Sequence, residues 1–155
     1  MQKTSYILFI LVLVLMNFSC KTQTSDNQGI SGKITWLEGN QMPMISEDGS
    51  ATPPNPKGIP VKRTILIYPL TNLADSKMDD GLFIQVKGEP IAKTESDENG
   101  EYALELSPGR YSIFTQEEDG LFANLFDGEG NIQPVTIREK EWTTLDIIIN
   151  YKAVF

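Results

Sequence analysis

The sequence predicts an all-β domain, a β-sandwich of seven to eight strands, behind an N-terminal leader and a short polar stretch. Three observations carry this. Apolar residues recur at every second position in short runs, the period of a half-buried strand. Turns rich in Gly, Pro, Asn and Asp separate those runs at intervals of about 8–12 residues, the spacing of a sandwich. Beyond residue 20, no stretch repeats its apolar residues at the helical period of about 3.6.

Ile30, Gly32, Ile34 and Trp36 open the first strand on one face, with Lys33 and Thr35 on the other. Residues 38–60 read as a long insertion with five prolines and three glycines. Proline gives no N–H to a ladder, so no ladder is expected inside it, and a loop of this length is commonly functional. Val61 to Leu70 is β-branched and aromatic, with apolar residues on both faces, so this strand is expected at the centre of a sheet. Residues 71–81 are polar with room for a short helical turn. Leu82–Lys87 and Ile91–Ser96 are two further strands around the Gly88-Glu89-Pro90 turn. Asp97-Glu98-Asn99-Gly100 is a tight turn. Tyr102, Leu104 and Leu106 alternate after it, Ser107-Pro108-Gly109 reverses the chain, and Tyr111 and Ile113 continue the inward face. Leu121–Phe126 reads as a strand, followed by a loop at 127–131. Val135 and Ile137 come next. Leu145, Ile147, Ile149 and Tyr151 close the chain on one face, with Asp146 and Asn150 on the other.

The first 19 residues have the layout of a secretory signal. Lys3 supplies the positive charge, and Tyr6 to Met16 is an unbroken run of 11 apolar residues. A bilayer-spanning helix needs about 20 such residues, so the run suits a signal h-region instead. Ser19 stands directly before Cys20, the one cysteine of the chain. This junction resembles the lipobox of bacterial lipoproteins, in the looser form found in Bacteroidetes, with Asn17 where Leu is usual. The resemblance implies that Cys20 is lipidated and begins the mature chain. Stable anchoring takes more than one acyl chain, and a diacylglyceryl cysteine supplies two. Residues 20–29 are then the lipidated cysteine and a polar tether, and residues 30–155 the folded domain. Lys21 is not an aspartate-type retention signal, so the outer membrane is expected, on its periplasmic or surface face.

Composition excludes several functions. The chain of 155 residues has a formal charge of −8, and −9 once the leader with Lys3 is removed. Such a protein repels nucleic acid and anionic headgroups, so no nucleic-acid partner is expected. There is no histidine, so the commonest general base and metal ligand is missing, and no Ser-His-Asp or Cys-His site can be built. Glycine-rich phosphate-binding motifs are absent as well. The 136 residues after the leader suffice for one domain with its own core.

Four stretches resemble the carboxypeptidase regulatory-like domains. Ser31-Gly32-Lys33-Ile34-Thr35 is similar to their first strand, and Gly58-Ile59-Pro60-Val61 to the start of their second. Thr94-Glu95-Ser96-Asp97-Glu98-Asn99-Gly100-Glu101-Tyr102 is similar to their T-x-x-D-x-x-G-x-[FY] turn. Pro108-Gly109-Arg110-Tyr111-Ser112-Ile113 resembles their P-G-x-Y-x-[LIV] strand. The likeness spans about residues 30 to 151. It implies a transthyretin-like (prealbumin-like) sandwich and a non-catalytic role as a stability module, stalk or appendage of envelope proteins. Fold is implied far more strongly than function.

Some residues merit weighing as sites. Asp127, Glu129 and Asn131 alternate as oxygen donors in a glycine-rich loop, as calcium ligands do, although Arg138 stands where a later Glu would complete the set. Calcium is the one cofactor this leaves open. Asp97, Asn99 and Glu101 alternate likewise, but the turn motif accounts for them. Tyr68, Phe114, Phe122, Phe126 and Trp142 could form an aromatic platform for sugar stacking. Phe122, Asn124, Phe126 and Asp127 make the most plausible ligand-binding edge. Trp36 reads as core. Arg63, on an otherwise apolar face, is expected to pair with Glu38 or Glu118. The leading functional expectation is a lipid-anchored, non-enzymatic protein-binding or scaffold module of the cell envelope, contacting an envelope protein through edge strands and the 38–60 loop. A surface glycan-binding module is the alternative. A hydrolase using Glu38, Asp127 or Glu129 is a weaker one.

Overall fold

A computed structural model describes residues 27–42, 44–45, 51–52 and 57–155. The leader, Cys20, the first part of the tether and much of the insertion lie outside the described residues.

Among the described residues, fourteen strand segments form two stacked sheets and one small ladder. In chain order they are β1 (Gly29–Asn40), β2 (Met44–Ile45), β3 (Ala51–Thr52), β4 (Ile59–Pro60), β5 (Thr64–Pro69), β6 (Ser76–Asp79), β7 (Leu82–Val86), β8 (Ala92–Glu95), β9 (Glu101–Glu105), β10 (Gly109–Gln116), β11 (Leu121–Phe122), β12 (Pro134–Ile137), β13 (Trp142–Thr144) and β14 (Ile147–Val154). A 3-10 turn, Leu73–Asp75, follows Asn72, whose side chain accepts from the Ala74 amide. The chain is all-β with a sandwich-like arrangement of two sheets.

β1 is the spine of the first sheet. Ile30 pairs with Thr143 of β13 on one side and Leu104 of β9 on the other. Further along, β14 runs parallel on the first side as far as Asn40↔Val154, and β4 takes the second side at Thr35 and Trp36. In the second sheet β5 and β10 are central. β8 lies beyond β5, and β12 and β11 share the far edge of β10, with β7 and β6 beyond. The segment count exceeds the seven or eight expected because long edges are built from pieces laid end to end. β13 and β14, for example, border one side of β1 in succession, broken at Leu145–Asp146.

The inward alternation makes the core. Ile30, Ile34, Tyr102, Ile147 and Ile149 of the first sheet meet Ile65, Ile67, Ile113, Val135 and Ile137 of the second. Each fully buried aliphatic side chain contributes roughly 1.5–3 kcal/mol. The second sheet is buried on its other face too, where Tyr68, Phe83, Phe114, Ala123 and Ile132 cluster. Phe114 meets Tyr68 and Phe83 edge to face, each at 5.4 Å. This second cluster explains why β5 is apolar on both sides.

Three expectations need correction. The insertion does hold a ladder: β2 and β3 pair at Met44↔Thr52 and Ile45↔Ala51. Its four residues lie between the prolines rather than on them, so no N–H is missing. The expected strand at 121–126 is shorter, since β11 ends at Phe122 and only an isolated bridge, Phe126↔Ile132, follows. Arg63 pairs with Glu117, at 3.2 Å, not with Glu38 or Glu118. The β5–β10 register sets Ile65 opposite Thr115, so two further residues bring Arg63 opposite Glu117 on the same face. Glu118 belongs to the other face and Glu38 to the other sheet.

Candidate functional site

The 127–131 loop is organised by its own donors. One oxygen of Asp127 accepts from the Glu129 and Asn131 amides, and the other from the Asn131 side-chain amide at 2.8 Å and Arg110 at 3.3 Å. The same Asn131 amide also reaches Glu129, at 3.2 Å. The Asn131 side chain comes first among the causes that hold the Asp127 carboxyl below its ordinary range, and the Asn131 amide second. Calcium ligation demands oxygen lone pairs directed inward. Here Asn131 presents N–H groups to both carboxylates, and a cation would have to displace them. Among the described residues, no three acidic side chains converge on one point.

The aromatic platform is not assembled, and this is a further correction. Phe122 is 3% exposed and packs on Tyr151 between the sheets, with ring centroids 5.8 Å apart. Tyr68 and Phe114 are buried in the second cluster. Their alternation places them on faces that the fold covers, so none can stack on a sugar. Phe126 and Trp142 keep substantial exposure, and Trp142 donates to Asn27 at 3.3 Å. Asn124 is spent on the edge of β14, donating to the Ile148 carbonyl and the Asn150 side chain. The weaker hydrolase reading needs two carboxylates facing each other across a cleft. Glu38 lines a hollow with Trp36 and Ile59, whereas Asp127 and Glu129 face Asn131 in their loop.

Two surface hollows flank Gly58, one on each side of the short β4. The larger, about 360 Å³, is lined by Lys33, Thr35, Lys57, Pro60, Asp146 and Ile148. The smaller, about 190 Å³, is lined by Trp36, Leu37, Glu38, Asn40, Gln41 and Ile59. Sequence reading placed Trp36 in the core, and one part of it does pack there. Its ring also meets Tyr151 edge to face at 5.3 Å, with Arg63 5.6 Å and Lys152 5.9 Å from the centroid. Such cations over an indole are worth about 0.5–1 kcal/mol each at an exposed site, and they hold the ring in place. Ile59, 66% exposed beside this ring, and Gln41 belong to the 38–60 stretch expected as a contact surface, but neither stood out individually in the sequence. The one available signal was an apolar Ile59 inside a stretch otherwise rich in turn residues.

No protein-family model matches this chain, and no match was found among curated proteins or solved structures.

Proposed function

We propose that this chain is a lipid-anchored cell-envelope protein whose non-catalytic sandwich, of the carboxypeptidase regulatory-like type, serves as a protein-binding or scaffold module. Lipid on Cys20 holds it to a membrane, and the outer membrane is the reading favoured by Lys21. The observation that carries the module reading is the polarity of the fold. The chain comes in at one pole, where Asn27 meets Trp142. β1 then runs 12 residues, about 40 Å at 3.3 Å per residue, to the opposite pole. Exposed Met42, Val154 and Phe155 lie toward that far end, near the Asn40↔Val154 pair. Exposed apolar residues at the pole away from the anchor suit a tethered module that meets its partner there.

Cell fractionation tests the anchor: the Cys20→Ala chain is expected in the soluble fraction, and its retention in the membrane would sink the lipoprotein reading. For the module, a photo-reactive residue placed at several exposed positions in living cells is expected to trap one envelope protein repeatedly. Failure to trap any protein from every position would sink that reading.

A further inference from the structure

We infer that Trp142 is a membrane-interface contact: its exposed indole seats in the headgroup layer of the bilayer that holds Cys20 and sets the domain upright, with β1 pointing away from the membrane. This rests on the lipid-anchor reading and adds what the folded domain itself does at that surface.

The length of the tether limits which part of the domain can touch the bilayer. From Cys20 to Asn27 is seven residue steps, a reach of at most about 25 Å at ~3.6 Å per residue. β1 alone is about 40 Å long. An inverted domain, far pole down, would need its entry point farther from the bilayer than the tether extends. Upright or on its side, the domain keeps the surface around Asn27 within reach of the lipid.

Trp142 is fixed to that entry point. Its Nε1 donates to the Asn27 side chain at 3.3 Å, and the Gly29 amide donates to the Glu141 carbonyl beside it at 3.2 Å. Gln28, 4% exposed, braces the same place with both ends of its carboxamide. Its Oε1 accepts from the Lys140 amide at 2.8 Å, and its Nε2 donates to the Leu106 carbonyl at 3.3 Å. In the β1–β13 ladder Trp142 stands beside Gly29. The next pair points inward, Ile30 into the core and the Thr143 hydroxyl to the Thr136 carbonyl of the other sheet. Alternation therefore turns Trp142 outward, and Gly29 has no side chain to cover its ring. Trp142 is 37% exposed although its one polar group, the indole N–H, is already bonded. An apolar ring with a satisfied donor is the amphipathic body that favours membrane–water interfaces.

Charge selects the lipid. Arg138 and Lys140 in the preceding turn stand against Glu139, Glu141 and, beside Gly29 on β9, Glu105. Arg138 is already shared with Glu141 at 3.4 Å. Carboxylates outnumber cations around the ring, so anionic headgroups gain nothing here, and the surface that fits is zwitterionic. One indole by itself binds a bilayer weakly. The anchor compensates, because a short flexible linker holds the two at an effective concentration of roughly millimolar.

Tryptophan fluorescence tests this. The chain has two tryptophans. Trp36 lies seven steps along β1 from Gly29, about 23 Å from the level of Trp142. Lipids brominated high on the acyl chain quench only at short range, so they distinguish the two rings. The lipidated full-length protein is reconstituted into phosphatidylcholine vesicles containing them. Trp36→Phe, which leaves Trp142 to emit, should lose fluorescence severalfold, and Trp142→Phe should emit as it does in unbrominated vesicles. Added phosphatidylglycerol should not deepen the quenching. Thermal melts establish that each variant is folded; if Trp36→Phe is not, the parent's emission minus that of Trp142→Phe gives the same reading. Unquenched Trp142, or Trp36 quenched as strongly, would overturn the upright contact, and deeper quenching with phosphatidylglycerol would overturn the choice of lipid. Sedimentation separates the two levels. Protein recovered with the vesicles but unquenched removes this contact and leaves the anchor. Protein left in the supernatant removes both.

Discussion

The Tyr102 hydroxyl donates a 2.6 Å hydrogen bond to the main-chain carbonyl of Leu145, across the width of β1. What lets it cross is Gly32, the residue paired with Tyr102 on β9. Any Cβ at Gly32 would collide with that same carbonyl. The bond ties β9 to the break between β13 and β14, where Asp146 also accepts from the Lys33 amide at 2.8 Å. Three strands are thus locked at the point where the parallel pairing changes segment.

Tyr102→Phe is expected to cost about 1–2 kcal/mol in urea unfolding, because the partly buried carbonyl loses its donor. Gly32→Ala should cost more, since the clash is with backbone. Burial, and after it the Asp146 carboxylate, raises the Tyr102 pKa far above its ordinary value. The unfolded phenol ionises first, near pH 10. This contribution is therefore complete below about pH 10 and is lost as the pH rises beyond it. Tyr68 and Tyr151 are shifted in the same direction, chiefly by burial, so Tyr102→Phe should weaken the alkaline limb without abolishing it.

Among the described residues, Arg63 and Glu117 form the one ion pair in which a carboxylate is almost wholly enclosed. The Glu117 side chain is 2% exposed, and Thr115 donates to it at 3.0 Å. Arg63→Met alone should cost roughly 2–3 kcal/mol, because the enclosed charge loses its partner while Arg63 itself was 31% exposed. Adding Glu117→Met should recover part of that loss. A double-mutant cycle by chemical denaturation reads the difference, and a second substitution that only adds to the damage would refute the pairing argument.

Two glycines with nearly the same backbone separate conformation from crowding. Gly88 has φ +86° with nothing near a would-be Cβ, whereas Gly100, at φ +77°, faces the Ile34 carbonyl. Gly88→Ala should cost about 1–2 kcal/mol, the left-handed penalty alone. Gly100→Ala should cost about 2 kcal/mol beyond that, because the Asp97 turn must shift off β1. Equal melting temperatures for the two variants would contradict this account.

The Asp127 loop depends on an ionised carboxylate. Its depressed pKa means that the carboxylate favours the folded loop above the unfolded value near 4, and that this support fades as the pH falls through the lower folded value. Asp127→Ala should speed amide exchange at Glu129 and Asn131, the two N–H groups it accepts. Exchange at the Gly100 turn should stay as it was.

Local chemistry determined the strands and the tight turns. Period-two burial needs only the chain's own pattern, and so Ile30, Ile34, Ile147 and Ile149 were legible as inward residues before any sheet was built. The Asp97 turn was legible because Asp97 accepts from amides only two and four residues away. The tertiary structure alone decided which aromatic rings see water. Phe122 and Phe126 lie four residues apart in one stretch, yet one is sealed against Tyr151 and the other is 44% exposed. Sheet order and register decide that, and both arise from contacts between distant residues that no local pattern encodes.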